Sequence, residues 1–411
     1  MRRDATAETV TPGSWVLLAL GSLAYLLYTF SWFLLAAFLD PIAAGLGLSP
    51  TQAGIVAGAV PLSYVPLALA SGLLVDRIGP ARAIGGGSVL VGLAQVVRAS
   101  ATGFPALLVP TLLIGVGGTG LTFGLPKLAA ERFPGERLST ASAVYLVGST
   151  LGTAAAFGLG RPLLGPALGG WRPVFRWTGL LVVAYALAWL AAARVLGPRL
   201  ARFGDDGPSK GLSLGSARAD VVTVLSHPQL RLLVVVGAMQ LFLTHGLQAW
   251  LPTVLGVRGL GADLAATATS LLVVARLAGT LTLPPLADRL AVRRATIVAC
   301  GALAAVGTAG LAGFGASLAG TVAVVGLVGI GIGGLAPLVR ALPTEFEGIG
   351  QELTATANGL IFTVGEVGGF AGPFVVGGLR DVTGSFAPGL AVLGAGAVLI
   401  VLAGASMAEP G

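Results

Sequence analysis

The sequence lacks most of what a soluble enzyme is built from. Only 10% of its 411 residues are charged, against roughly a quarter in soluble domains, so a water-soluble globular protein is excluded. A single cysteine, Cys300, rules out an internal disulfide and with it a disulfide-rich secreted scaffold. There are two histidines, no H-E-x-x-H and no G-x-x-x-x-G-K-[ST], so neither a zinc hydrolase nor a nucleotide-driven pump has its chemistry here. No enzyme, no metal and no other cofactor is expected. The 64 glycines keep no G-x-y period, which excludes collagen.

What is present is apolar: 55% of the residues are hydrophobic and the mean hydropathy is +0.91. A helix needs about 20 mostly apolar residues to cross a bilayer, and uncharged runs of that order recur. Residues 15–39, 41–75 (a turn and a span), 83–97, 99–126, 138–160 and 177–193 make a first set of six. A second set follows at 232–257, 264–287, 295–339, 353–379 and 382–408, where 295–339 is long enough for two helices joined near 313–317. The expectation is an all-α membrane protein of twelve spans. Its halves would be an N-terminal bundle over 1–195 and a C-terminal bundle over 229–411, joined by a polar linker over 196–228. The N-terminal MRRDATAETVTPGS has no small-x-small cleavage site before a polar mature sequence and does not read as a secretory signal.

Lys and Arg exceed Asp and Glu by 24 to 17. With the N-terminus placed in the cytoplasm, seventeen of the 24 fall on the inner side and six, including Arg98, Arg161 and Arg172, on the outer side, with Arg276 inside the membrane. The positive-inside rule therefore predicts both termini cytoplasmic in a multi-pass protein of the cell membrane. The basic excess is a topology signal split among short loops, and no nucleic-acid surface is expected.

The second half echoes the first at an offset of 212 to 214. Asp76-Arg77, with Arg82 after it, recurs as Asp288-Arg289 with Arg294; Gly115, Gly117 and Gly120 recur as Gly329, Gly331 and Gly334; Glu131 recurs as Glu345. Internal repeats in a membrane protein point to a transporter whose halves move about a central site. The glycine set also fits G-x-G-x-x-G, but both copies lie inside apolar spans rather than after a strand, so close helix packing is the expected role.

These residues resemble the major facilitator superfamily. The match is carried by Gly72-Leu73-Leu74-Val75-Asp76-Arg77-Ile78-Gly79-Pro80-Ala81-Arg82, similar to that family's G-x-L-x-D-R-x-G-x-x-R loop between spans two and three. It is also carried by Gly165 to Arg172 at the end of span five, and by Gly372-Pro373 with Gly377, Asp381 and Thr383-Gly384 at the end of span eleven. The resemblance implies two pseudo-symmetric six-helix bundles working by alternating access. It also implies a conformational latch built from Gly72, Asp76, Arg77, Arg82, Asp288 and Arg289, in which a carboxylate at the membrane edge meets a helix N-terminus or a loop arginine. The span-four exit Leu125-Pro126-Lys127 to Pro134 and Trp250-Leu251-Pro252 are most similar to the nitrate/nitrite and cyanate-type porters. Two positions depart from relatives: Thr111 stands where many have an arginine, and Tyr64 where nitrate porters have one.

Two ionisable residues sit near mid-span, Arg276 between Asp263 and Asp288, and Glu366 between Glu352 and Asp381. A charge at the bilayer centre costs at least about 2.5–3.5 kcal/mol on insertion scales, so such residues face the bundle interior and find partners. One reading is an Arg276–Glu366 ion pair that only orients two helices. The sharper one has Arg276 binding an anion bidentately, with Glu366 as the proton-coupling site. Tyr64, opposite Arg276 in the pseudo-symmetric scheme, Tyr28, His245 and Gln248 complete the candidate substrate residues, with aromatic packing and helix packing as the plain alternatives. The expected protein is a monomeric secondary active transporter in the lipid bilayer, moving a small inorganic or organic anion with protons or a counter-substrate. The alternative is a proton-driven drug or metabolite efflux antiporter.

Overall fold

The computed structural model describes residues 10–197, 221–313, 317–346 and 351–408, and every regular element among them is helical. Twelve helices are long and apolar enough to cross a membrane. In chain order they are α1 (Pro12–Ala37), α2 (Pro50–Ile78), α3 (Pro80–Arg98), α4 (Phe104–Arg132), α5 (Leu138–Ala155) and α6 (Trp171–Leu196), then α7 (Pro228–Val257), α8 (Ala262–Leu290), α9 (Arg293–Gly313), α10 (Leu318–Ala341), α11 (Gln351–Thr383) and α12 (Ala387–Ala405). The eleven apolar runs of the sequence become these twelve, with 295–339 giving both α9 and α10. Most of the linker (198–220), and with it Arg199, Arg202, Lys210 and Arg218, lies outside the described residues.

Local sequence sets the ends of these helices. Proline in the first turn opens α1, α2, α3, α4, α7 and α12, where its missing N–H costs no helical bond. Ser49 and Gln52 close a reciprocal capping box at the start of α2. Gly79 turns the chain from α2 into α3 at φ 82°, a left-handed conformation that side chains resist, and Pro80 starts the next helix immediately. After Ala155 the fifth span widens to a π-helix over Ala156–Leu164, with Pro162 inside it.

Each half holds six spans, so the ends of the chain and the connection between halves share one face, the linker face; the opposite one is the far face. The repeated glycines do the packing expected of them. A Cβ on Gly117 or Gly120 would come within 2.6 Å or 2.4 Å of α3 backbone oxygens. One on Gly331 or Gly334 would meet Cys300 of α9 at 2.5 Å or 2.7 Å. Gly115 and Gly329 press instead on α2 and α8, so the two copies make equivalent contacts in the two halves.

The largest buried contact between the halves lies toward the far face. A buried apolar cluster runs from the second half into the far-face ends of the first, through Phe33, Phe38, Phe157 and Phe175. A separate cluster around Leu17, Tyr28, Ile84 and Trp189 belongs to the first half, with Phe362 of α11 packed against it. The three hydrogen bonds described between the halves lie on the far-face side: Thr51 Oγ1 to Asp381 at 2.6 Å, Thr253 Oγ1 to Asp40 at 2.6 Å, and Ser270 Oγ to the Ala154 carbonyl at 2.6 Å. Gly54 and Gly58 let α2 lie directly on α11 at Pro373 and Phe370. Among the described residues no hydrogen bond joins the halves toward the linker face.

One topology residue is corrected by the fold. Arg98 is no loop cation: it is fully buried at the end of α3 and donates to the Ser31 carbonyl (3.1 Å) and to Gln95 Oε1 (2.9 Å). Its guanidinium also lies over the Phe175 ring. Uncharged acceptors and a π-face hold it where no acid does.

Candidate functional site

The space between the halves is walled on one side by α1. Tyr25, Tyr28 and Trp32 are spaced three and four apart, so they share one helix face. Tyr25 and Tyr28 stack with centroids 6.0 Å apart. The Tyr28 and Tyr64 hydroxyls hydrogen-bond at 2.9 Å, and Tyr64 bonds Thr122 of α4 at 2.9 Å. A Cβ on Gly118 would stand 2.3 Å from the Tyr28 hydroxyl oxygen, so this glycine makes the room for the tyrosine chain. Tyr64 therefore faces its own half, and both it and Tyr28 are buried.

The opposite wall comes from α7, α8 and α11. His245 crosses the gap, stacked on Trp32 (5.4 Å between centroids) and parallel to Phe33 (6.4 Å). Glu366 is buried, and its Oε2 has no hydrogen-bond partner among the described residues. A Cβ on Gly369 would meet His245 Cδ2 at 2.9 Å and Glu366 Oε2 at 3.5 Å, so histidine and carboxylate border the same small space. Gln248, one turn beyond His245, is 1% exposed, and neither end of its amide is paired. An unmade hydrogen bond on a buried amide costs about 1–3 kcal/mol, so this helix face carries polar capacity that its own packing does not use.

Arg276 is half-buried on α8, and no hydrogen bond or ion pair reaches its guanidinium among the described residues. Its backbone is held firmly: the Thr280 hydroxyl bonds the Arg276 carbonyl (3.0 Å) and the Gly333 carbonyl of α10 (2.9 Å). The purely structural reading of Arg276, an ion pair with Glu366, is not what forms. Sequence reasoning passed over Thr122, which bonds Tyr64.

The loop residues sit at the linker face, outside this space. Asp76 pairs with Lys127 of α4, where the sequence suggested a helix N-terminus or an arginine. Asp288 bonds Arg293 at 2.8 Å rather than its neighbour Arg289, and Arg293 also pairs with Glu345. In each case the carboxylate takes a cation of its own half. Arg77, Arg82 and Arg289 are exposed and make no bond among the described residues, and nothing stands within 4 Å of a Cβ on Gly72.

Comparison with known proteins gives a match over residues 21–373 to the family model described as the Major Facilitator Superfamily. The chain is 30% identical to a 3-(3-hydroxy-phenyl)propionate transporter of Escherichia coli strain K12, over 90% of this chain and 89% of that one. A putative tartrate transporter of Agrobacterium vitis is 26% identical, over 86% of this chain and 83% of the other. Among solved structures, a bacterial homologue of the human lysosomal transporter Spinster, in an inward-facing and unoccupied conformation, superposes with a TM-score of 0.78 at 18% identity. It covers 97% of this chain and 96% of that one.

Proposed function

Because this chain belongs to the Major Facilitator Superfamily, we propose that it is a secondary active transporter of a small organic anion, driven by protons and working by alternating access. At the coarser level no proposal is needed: the chain is a multi-pass membrane transporter of small solutes and not an enzyme. The observation that carries the finer reading is Arg276. A half-buried guanidinium near mid-span, without an acidic partner among the described residues, is an expensive group to keep unless something anionic visits it. Its planar fork suits a carboxylate bidentately.

The surroundings support an organic rather than a bare inorganic anion. Tyr25, Tyr28, Trp32 and Phe362 offer flat apolar walls, and the unpaired Gln248 amide offers a donor and an acceptor once the helices shift. The two relatives named above are transporters of a phenylpropionate and of tartrate, both carboxylates. Glu366 is the proton carrier in this reading: buried beside His245 without a partner, it is stable in the membrane when neutral and becomes a charge the site must offset when it loses its proton. Substrate and proton then travel together.

The Lys and Arg distribution supports a cytoplasmic linker face in a cell-membrane protein. Asp76 and Asp288 act as the latch: paired within their own halves now, they become free to bond across the halves when that face closes. The working unit is a monomer.

A thermal-shift panel on the purified protein tests the assignment. 3-Phenylpropionate, tartrate, nitrate, cyanate and tetraphenylphosphonium are compared on wild type and Arg276→Ala. Stabilisation by carboxylates that disappears in the variant is expected. Stabilisation by the lipophilic cation alone would overturn the anion reading in favour of drug efflux.

A further inference from the structure

At the linker-face end of the first half lies a cavity of about 770 Å³, a volume typical of small-molecule sites. Every described residue that lines it belongs to that half, so it is separate from the space between the halves. Its wall sets three arginines, Arg82, Arg132 and Arg194, against one acid, Glu131.

Helix packing fixes this wall. Trp189 Nε1 donates to the Ala81 carbonyl at 2.8 Å, which ties α6 to the first turn of α3. Arg132, 6% exposed, reaches from α4 toward the end of α6, where a Cβ on Gly197 would stand 3.9 Å from its Nη2. Arg82 and Arg194 are exposed and make no hydrogen bond or ion pair among the described residues. The positive end of α3 adds to their field, since Gly79 and Pro80 line the same cavity. Such a wall suits a phosphodiester, whose oxygens take guanidinium donors in pairs.

The remaining surface is apolar and favours a lipid over a soluble phosphate. Leu17, Leu128 and Leu190 line the cavity itself. From Arg82 the exposed face of α3 continues through Gly86, Leu93 and Val97, at helical steps of four, seven and four. From Arg194 that of α6 continues through Leu187 and Leu180 at steps of seven. The two helices touch where a Cβ on Gly179 would meet the Gly92 carbonyl oxygen at 2.7 Å. Nothing stands within 4 Å of a Cβ on Gly86, so one turn from Arg82 there is open surface on which an acyl chain can lie. A basic pocket between spans, continuous with apolar surface, is the arrangement that holds acidic headgroups.

We propose that this cavity binds an acidic phospholipid, with its phosphate held by Arg82 and Arg194, the buried Arg132 adding its charge, and one acyl chain lying over Gly86. Occupancy needs no movement of one half against the other. The inference is independent of which solute is transported.

Native mass spectrometry of the purified full-length protein, titrated with phosphatidylglycerol, phosphatidylcholine or inorganic phosphate, tests this. Wild type is compared with Arg82→Gln/Arg194→Gln and with Arg137→Gln/Arg231→Gln. Arg137 and Arg231 are exposed linker-face cations outside the cavity, so the second pair removes the same charge elsewhere. Each guanidinium beside an acidic headgroup contributes about fivefold, so wild type should prefer phosphatidylglycerol to phosphatidylcholine by at least about tenfold. The cavity pair should lose that preference and the other pair should keep it. Inorganic phosphate binding as tightly as phosphatidylglycerol would make this a soluble-anion site, and equal loss in both pairs would reduce the preference to overall surface charge. Either result overturns the proposal, as does a wild type that shows no preference.

Discussion

Gly333 is where the packing of the second half bears most directly on its site. A Cβ added there would lie 2.0 Å from the Arg276 carbonyl oxygen and within 2.9 Å of its Cα, all backbone of α8. Side-chain motion cannot relieve that contact, so Gly333→Ala must push α8 and α10 apart by more than an ångström and carry Arg276 with them. Overpacking of this kind costs about 1–3 kcal/mol, offset by the roughly 1 kcal/mol by which alanine exceeds glycine within a helix. Gly326→Ala, seven residues earlier on α10 with nothing within 4 Å, separates the two effects. It gains the helix term alone. Unfolding measured by thermal or denaturant titration in detergent should place Gly333→Ala about 1–3 kcal/mol below Gly326→Ala. Carboxylate binding should weaken in Gly333→Ala only. Equal stability and equal binding in the two variants would refute the claim that this glycine sets the position of Arg276.

Three further outcomes are expected. Glu366→Gln should abolish proton-driven accumulation of 3-phenylpropionate in proteoliposomes while leaving exchange across the membrane intact; accumulation at the wild-type level would remove Glu366 from coupling. Asp76→Asn loses an exposed pair worth no more than about 1 kcal/mol, so protein level and unfolding temperature should hold while uptake slows, and an unchanged uptake rate at equal protein level would contradict the latch. Thr51→Cys with Asp381→Cys, whose parent side chains meet at 2.6 Å across the far face, should form a disulfide that stops transport until reductant is added; undiminished transport in the cross-linked protein would mean that this face need not open.

The spans were legible because membrane crossing leaves a mark that no tertiary context overrides: long uncharged runs, opened by proline at Pro12, Pro50, Pro80 and Pro228. The role of the glycines was legible from their repetition, since two copies at one spacing imply two equivalent contacts, and Gly117 and Gly331 make them. Partner choice was not legible. Asp288 is followed by Arg289 and Arg294 in the pattern of the first half, yet Arg293 takes it, a preference decided by side-chain direction at the start of α9. Arg98 misled as well: its partners are a carbonyl of α1 and a ring of α6, contacts that only the assembled bundle creates. The placement of Arg276 and Glu366 near mid-span followed from counting residues, whereas their separation in space did not.

The central claim is that position 276 is reached by water and not by lipid. It is tested most directly by labelling Arg276→Cys with a charged, water-soluble methanethiosulfonate in a Cys300→Ala background, beside Val274→Cys. Val274 lies two residues away, about 200° around the helix, and is 52% exposed on the other side of α8. The account predicts rapid labelling at 276 from the linker side and none at 274, where the surroundings are hydrocarbon. Labelling at 274 with none at 276 would contradict it.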